Sequence, residues 1–278
     1  MESYVCLSIS VSSAEQSDEL VAYLDQMGFE GFEQQPNQLK AYRPAGEWPQ
    51  QPVSDYLQER SFRFTLELVE KTNWNQLWES HFEPVRVDDF VGMRADFHPP
   101  ITQVAHELVI TPKMSFGTGH HATTRLMIRQ MRSIIKPGDR VLDFGTGTGV
   151  LAILAKKMGA GQVVGIDIED WSIENARENA AVNHVSEIEF LVGDKVTPPG
   201  PFDRILANIN RNILLEHMTS LRSCLSASGT LLLSGVLTED LEVMDQSLNS
   251  NGLIRTNCQE EIGWICVQAV HSQGTIQY

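Results

Sequence analysis

Apolar and polar residues change rhythm along this chain, and the change divides it in two. Over Tyr4–Val11 the apolar Val5, Leu7 and Ile9 alternate with Cys6, Ser8 and Ser10, the period of two of a half-buried strand. Leu20, Val21 and Leu24 share one helical face between a Ser12 or Ser13 cap and Gly28, which predicts a helix ending near Met27. Gly31–Gln35 and Gln38–Tyr42, joined at Pro36-Asn37, read as a hairpin. After a loop rich in Pro and Gly, Val53–Glu59 reads as a short helix and Phe62–Val69 alternates again. The order β-α-β-β-α-β is the split βαβ, ferredoxin-like pattern and makes residues 1–70 a small α+β domain. Trp74, Leu77, Trp78 and Phe82 then fall on one helical stripe, so residues 71–84 are expected to form a connecting helix or linker.

From Val85 the pattern becomes a regular alternation to the end of the chain. Strands are predicted at Arg140–Phe144, Gln162–Asp167, Ile188–Val192, Arg204–Ala207 and Thr230–Ser234. Helices are predicted at Arg125–Ser133, Val150–Met158, Trp171–Val182, Asn212–Leu225 and Asp240–Asn249. Such alternation implies an α/β, doubly wound, mostly parallel sheet covered on both faces. Its ligands bind beyond the carboxyl ends of the strands, near the point where strand order reverses.

Composition narrows the class further. A chain of 278 residues with 42% hydrophobic content can bury the cores of one large domain and one small one. No apolar run reaches the roughly 18–20 residues that span a bilayer, and Met1–Cys6 does not read as a secretory leader. Cys6, Cys224, Cys258 and Cys266 form no C-x-x-C pair, so no metal site or disulfide framework is indicated and a reduced, cytoplasmic setting is expected. The net charge of −15 argues against sequence-specific nucleic-acid binding, which needs a basic face. Residues 1–70 hold twelve Asp or Glu against Lys40, Arg43, Arg60 and Arg63. That is a solvated acidic surface or a patch that steers a basic partner.

The chemistry concentrates at strand ends. Asp143 precedes Gly145, Gly147 and Gly149, where absent Cβ atoms permit tight turning and close ligand approach. A dinucleotide loop, G-x-G-x-x-G, would place its third glycine at Val150, so a dehydrogenase is disfavoured. The spacing resembles motif I of the class I methyltransferases, whose loop cradles the amino-acid end of S-adenosylmethionine. Asp167 ends the second strand, where a carboxylate can accept both ribose hydroxyls of an adenosine; a helix-capping or loop acid is the alternative. Asp194 ends the third strand and, in the methyltransferase pattern, lies near the adenine amino group. Gly117-Thr-Gly119 can expose backbone amides, and the Thr123 and Thr124 hydroxyls can cap a helix or bind a ligand. Asn208, after the fourth strand, offers a carbonyl acceptor and an amide donor to a nucleophilic nitrogen. It lacks the Pro-Pro-Tyr that follows it in DNA adenine and glutamine enzymes.

Taken together, Trp74…Trp78…Phe82-Glu-Pro-Val85, Phe116-Gly-Thr-Gly119, Thr123-Thr124, Asp143-Phe-Gly-Thr-Gly147, Gly165-Ile-Asp167, Ala207-Asn-Ile209 and Ser234-Gly235 resemble the bacterial ribosomal protein methyltransferase A (PrmA) family over nearly the whole chain. The resemblance implies a ferredoxin-like domain that binds the substrate protein, followed at 85–278 by a Rossmann-like class I methyltransferase domain with a seven-stranded sheet. It implies that S-adenosylmethionine is the cofactor, contacted by Thr124, Gly145, Asp167 and Asn208, with Phe116, Gly117, Thr146, Gly147 and Asp194 completing the site. It implies methylation of lysine or N-terminal amines of the large-subunit stalk-base protein, free or on the ribosome, by an enzyme expected to be a monomer without membrane attachment. His121-Ala122 departs from the family's His-Pro, so His121 is given no catalytic role. An N-terminal amine, pKa near ~8, is partly neutral at neutral pH, whereas a lysine near ~10.4 needs its pKa lowered or a proton acceptor. Asn208 is therefore expected to orient the amine, and His120 to be a loop hydroxyl partner rather than a base. A class I methyltransferase for another protein or a small molecule, and a silent ribosome-assembly docking protein, remain as alternatives.

Overall fold

A computed structural model describes residues 3–13, 16–17, 20–21, 23–24, 27–29, 31–35, 37–47, 50–70, 83–111, 119–195 and 200–272 of the chain. It separates into two compact units, residues 1–81 and 82–278. Residues 71–82 of the expected connecting segment lie outside the described residues, as does the segment 112–118 with Phe116 and Gly117.

In the first unit β1 (Ser3–Ser10), β2 (Gly31–Gln35), β3 (Gln38–Pro44) and β4 (Phe64–Glu70) form a sheet in the order β2-β3-β1-β4, with every pairing antiparallel. This is the ferredoxin-like order. Leu7 and Ile9 of β1 and Leu39 and Ala41 of β3 all point into one core, as the alternation requires. Helical residues Leu20 and Leu24, and Val53 and Leu57 of helix α1 (Gln50–Glu59), cover that face. The Ser13 hydroxyl accepts from the Gln16 amide at 3.2 Å, the capping bond expected of a helix start.

The second unit holds β8 (Arg140–Phe144), β9 (Gln162–Asp167), β10 (Glu189–Val192), β11 (Phe202–Asn208), β12 (Leu225–Leu237), β13 (Leu253–Glu261) and β14 (Trp264–His271), in the order β10-β9-β8-β11-β12-β14-β13. The first five run parallel and β14 is antiparallel to both its neighbours. Successive residues of each strand feed opposite faces. Val141, Val163, Leu206 and Leu232 pack with α2 (Ala122–Ile134), α3 (Val150–Lys157) and α4 (Asp170–Val182), while Leu142, Val164, Ile205 and Leu231 pack with α5 (Arg211–Cys224) and α6 (Leu241–Ser250). Strand order reverses between β8 and β11, and their carboxyl ends open the crevice that such a reversal creates.

Three sequence expectations change here. The β13–β14 hairpin was not among the predicted strands, because β13 is an edge strand with only Leu253 buried and shows no hydrophobic alternation. The small sheet of β5 (Val85–Val87), β6 (Val91–Arg94) and β7 (His106–Val109) is built from runs of three or four residues, too short for a periodic signal. Helix α2 begins at Ala122, three residues before the predicted Arg125, with His121 as its cap in place of a threonine. Among the described residues no helix is long and apolar enough to cross a membrane.

A polar stripe on α4 contradicts simple amphipathicity. Asn175, Asn179 and Asn183, each four residues apart, are buried and act as a substitute sheet edge. The Thr111 amide donates to Asn179 Oδ1 at 2.8 Å and the Val109 amide to Asn183 Oδ1 at 3.0 Å. Asn179 Nδ2 in turn donates to the Thr148 carbonyl at 2.9 Å, tying the backbone after β7 to the glycine loop. Replacing Asn179 by Ala removes the acceptor of the Thr111 amide, and chemical denaturation is expected to show a loss of about 2 kcal/mol.

Candidate functional site

The site is assembled from the ends of β8, β9 and β11. Asp143 shares the α3 side of the sheet with Val141, and its carboxylate is fully buried beneath the start of that helix. Oδ2 accepts from the Thr146 hydroxyl at 2.7 Å and from the Ala152 amide at 3.1 Å. The helix cap is Gly149, which has no side chain, so a strand residue supplies the capping acceptor. Oδ1 has no partner. Burial, reinforced by the nearby Asp167, raises the Asp143 pKa to about 7.

Gly145, Gly147 and Gly149 have φ of +78°, +53° and +80°, values that L side chains adopt with strain. At Gly145 a Cβ would also meet Ile209 Cγ2, and at Gly235 it would meet the Ile209 carbonyl. The loop is sewn to β9, because the Gly145 and Thr146 amides both donate to the Ile166 carbonyl, at 2.8 and 2.9 Å. Asp167 closes the join: Oδ2 accepts from the Gly147 amide at 2.8 Å and Oδ1 from the Glu169 amide at 3.1 Å. Each carboxylate oxygen keeps further lone-pair capacity toward the space it borders.

That space is a cavity of about 590 Å³, within the usual range of small-molecule sites. Gly145, Gly147, Asp167, Asp194 and Asn208 line it. Thr124 and Thr146 do not. Thr146 is bound to Asp143, and Thr124 lies fully buried behind the wall, where its hydroxyl oxygen accepts from Asn208 Nδ2 at 3.3 Å. Thr123 reaches the wall instead. Asn208 ends β11, paired with Ser234 of β12. With Nδ2 committed to Thr124, its buried Oδ1 is an acceptor with no partner among the described residues.

His121 caps α2: its Nδ1 accepts from the Thr123 amide at 3.3 Å and lies 2.8 Å from the Thr123 hydroxyl. Burial, helped by the Arg125 charge, holds its pKa below the usual imidazole range. His120 contacts backbone. Its Nε2 lies 3.0 Å from the Glu83 carbonyl oxygen, which only accepts, so that nitrogen carries the proton. Sequence reasoning missed Trp171, His217 and Trp264, all of which line the cavity. Trp171 carried a readable signal, since it follows by four residues the acid that ends the second strand; in the structure it is 55% exposed at the start of α4. Trp264, edge-to-face with His121 at 4.7 Å, comes from the hairpin that went unpredicted.

A family model described as "Ribosomal protein L11 methyltransferase (PrmA)" matches residues 2–272. The chain is 41% identical over 259 residues to a protein named ribosomal protein L11 methyltransferase from Porphyromonas gingivalis, covering 90% of this chain and 89% of that one. A Bacteroides thetaiotaomicron protein of the same name is 34% identical, with 91% and 93% covered. Among solved structures, the ribosomal protein L11 methylase of Lactobacillus delbrueckii subsp. bulgaricus superposes with a TM-score of 0.63 at 30% identity, over 68% of this chain and 99% of that one.

The buried Asp143 generates a pH prediction. Its folded pKa of about 7 lies above the ordinary carboxylate value of 3.8, so between those values the folded state retains a proton that the unfolded chain has lost. The stability contributed at low pH is therefore lost as pH rises toward neutrality. Asn at this position keeps one oxygen to accept from Thr146 and Ala152 but does not titrate. Denaturation curves should show Asp143→Asn gaining about 2 kcal/mol on the parent between about pH 5 and pH 8; parallel pH dependences would contradict this.

Proposed function

The chain belongs to the ribosomal protein L11 methyltransferase (PrmA) family, and on that premise we propose that its substrate is ribosomal protein L11. It is an S-adenosylmethionine-dependent methyltransferase of the class I fold. When bound, S-adenosylmethionine supplies a methyl group already activated by its sulfonium. The protein's work is then to bind, orient and exclude water.

The reading assigns cofactor binding to the wall formed by Gly145, Gly147, Asp167 and Asp194. The φ-positive glycines leave the backbone accessible there, and Asp167 presents carboxylate oxygens already oriented by two amides. Trp171 and Ile168 add apolar surface on the same side. Thr124 acts through Asn208, holding its amide group in one orientation. Phe116 and Gly117 belong to the same proposed site by their place in the sequence.

The observation that carries the proposal is Asn208 Oδ1, a buried carbonyl oxygen on the wall of the cavity that has no partner among the described residues. A buried acceptor left unsatisfied costs free energy, and an incoming amine N–H satisfies it. A neutral amine that donates one hydrogen to Asn208 has its lone pair free for attack. Residues 1–70 are proposed to bind the substrate protein, and their excess of acidic residues suits a basic ribosomal partner. The proposal extends to a cytoplasmic monomer that makes no sequence-specific contact with nucleic acid, in keeping with the net charge of −15.

The test is methyl transfer from labelled S-adenosylmethionine to purified L11, followed by mass spectrometry. The intact chain should label L11, and Asn208→Ala should cut kcat by about a hundredfold while the unfolding midpoint changes little. No labelling of L11 by the intact chain, or near-normal turnover in a folded Asn208→Ala variant, would sink the corresponding part of the proposal.

A further inference from the structure

The turn between β13 and β14 carries an unexpected residue. Glu261 ends one strand and Trp264 begins the next, and the two are paired, so Ile262 and Gly263 form the whole connection. Their φ angles are +51° and +76°, the pattern of a type I′ turn, which matches the twist of the strands and selects Asn-Gly or Gly-Gly. Gly263 suits it. Ile262 does not, because a β-branched side chain crowds the backbone at positive φ. Packing gives no compensation: Ile262 is 82% exposed, more than any other large hydrophobic among the described residues. Neither local folding preference nor burial accounts for isoleucine at this position.

The turn is also firmly held, and it adjoins the cavity. The Glu261 carboxylate accepts from Arg125 Nε at 2.7 Å and from Arg129, both on α2. The Thr238 amide donates to the Gly263 carbonyl at 3.0 Å. Trp264, two residues from Ile262, lines the cavity and contacts His121. Leu237, opposite Trp264 in the β12–β14 ladder, adds a partly exposed aliphatic group. The result is a solvated aliphatic projection on an anchored turn, two residues along the chain from a side chain that lines the cavity. Strained conformations of this kind concentrate where function retains them.

We infer that Ile262 is a contact residue for the polypeptide that carries the methylated amine. The inference rests on the reading of L11 as substrate. A small amine would need only the cavity, whereas a protein must lay chain across the rim while one amine enters. A side chain displayed on an anchored turn loses little freedom on contact, and an aliphatic one selects an apolar stretch next to the amine. Ile262 thus acts on recognition of the substrate chain, while the cavity wall acts on the transfer.

The experiment compares steady-state methylation of L11 and thermal unfolding for the parent, Ile262→Asn and Ile262→Leu. Asn suits positive φ, so Ile262→Asn should fold and melt about 2 °C higher. Its KM for L11 should rise by about fivefold to tenfold, the loss of one aliphatic contact, with kcat changing by less than about twofold. Ile262→Leu should restore a KM close to that of the parent. If the parent methylates L11 and Ile262→Asn has an unchanged KM, this inference fails and the substrate reading stands. If the parent transfers no methyl to L11, the substrate reading fails and takes this inference with it.

Discussion

The site depends on one buried carboxylate. Asp143 sits on the sheet with no cation beside it among the described residues, held by the Thr146 hydroxyl and the Ala152 amide. These two bonds fasten a strand, a glycine turn and a helix start to one oxygen atom. The turn must be glycine-rich because its backbone runs at positive φ close to Ile209 and Ala176. A glycine cap cannot supply a capping oxygen, so the strand supplies it. Once Thr146 is fixed, its amide and that of Gly145 reach the Ile166 carbonyl, and the Gly147 amide reaches Asp167. The geometry of the cavity wall proposed to hold the cofactor follows from that sequence of bonds.

The opposite wall is set by a different economy of partners. Thr124 is buried on α2 and Asn208 ends β11, and the single bond between them leaves one amide oxygen for a ligand. Helix α2 is itself fixed at its start by His121 and along its exposed side by Arg125 and Arg129, which grip Glu261. The helix that carries Thr123 and Thr124 and the hairpin that carries Trp264 are therefore one mechanical unit. The asparagine stripe of α4 does the same for the end of β7 and the residues after it, by lending side-chain amides to backbone that has no strand partner on that side among the described residues. Polar groups at both places hold the elements that the apolar cores alone would leave adjustable.

Much of this was legible in the sequence, for reasons that can be named. The alternation of strand and helix identified the parallel sheet because Val141, Leu142, Ile205 and Leu206 are buried on both faces and read as continuous apolar runs. Gly149 and Val150 separated this loop from a dinucleotide loop by one position. The ends of α4, α5 and α6 fell within a residue or two of expectation. What escaped was information carried by long-range contacts. Trp264 and Glu261 belong to a hairpin whose outer strand is polar, so periodicity could not find it. Asn175, Asn179 and Asn183 look like an exposed face until the backbone they serve is known. For Thr123 and Thr124 local chemistry allowed either a cap or a ligand contact; His121 takes the cap and both threonines are buried.

The central claim is that the end of β9, locked to the glycine loop through Asp167, is the adenosine-binding edge of a methyltransferase site. Titration calorimetry of S-adenosylhomocysteine against the intact chain and its Asp167→Ala variant tests this most directly. The account predicts clear binding by the parent and at least about a tenfold weaker affinity in a folded variant, from the loss of charge-assisted hydrogen bonds to the ligand. Equal affinities in the two proteins would contradict it.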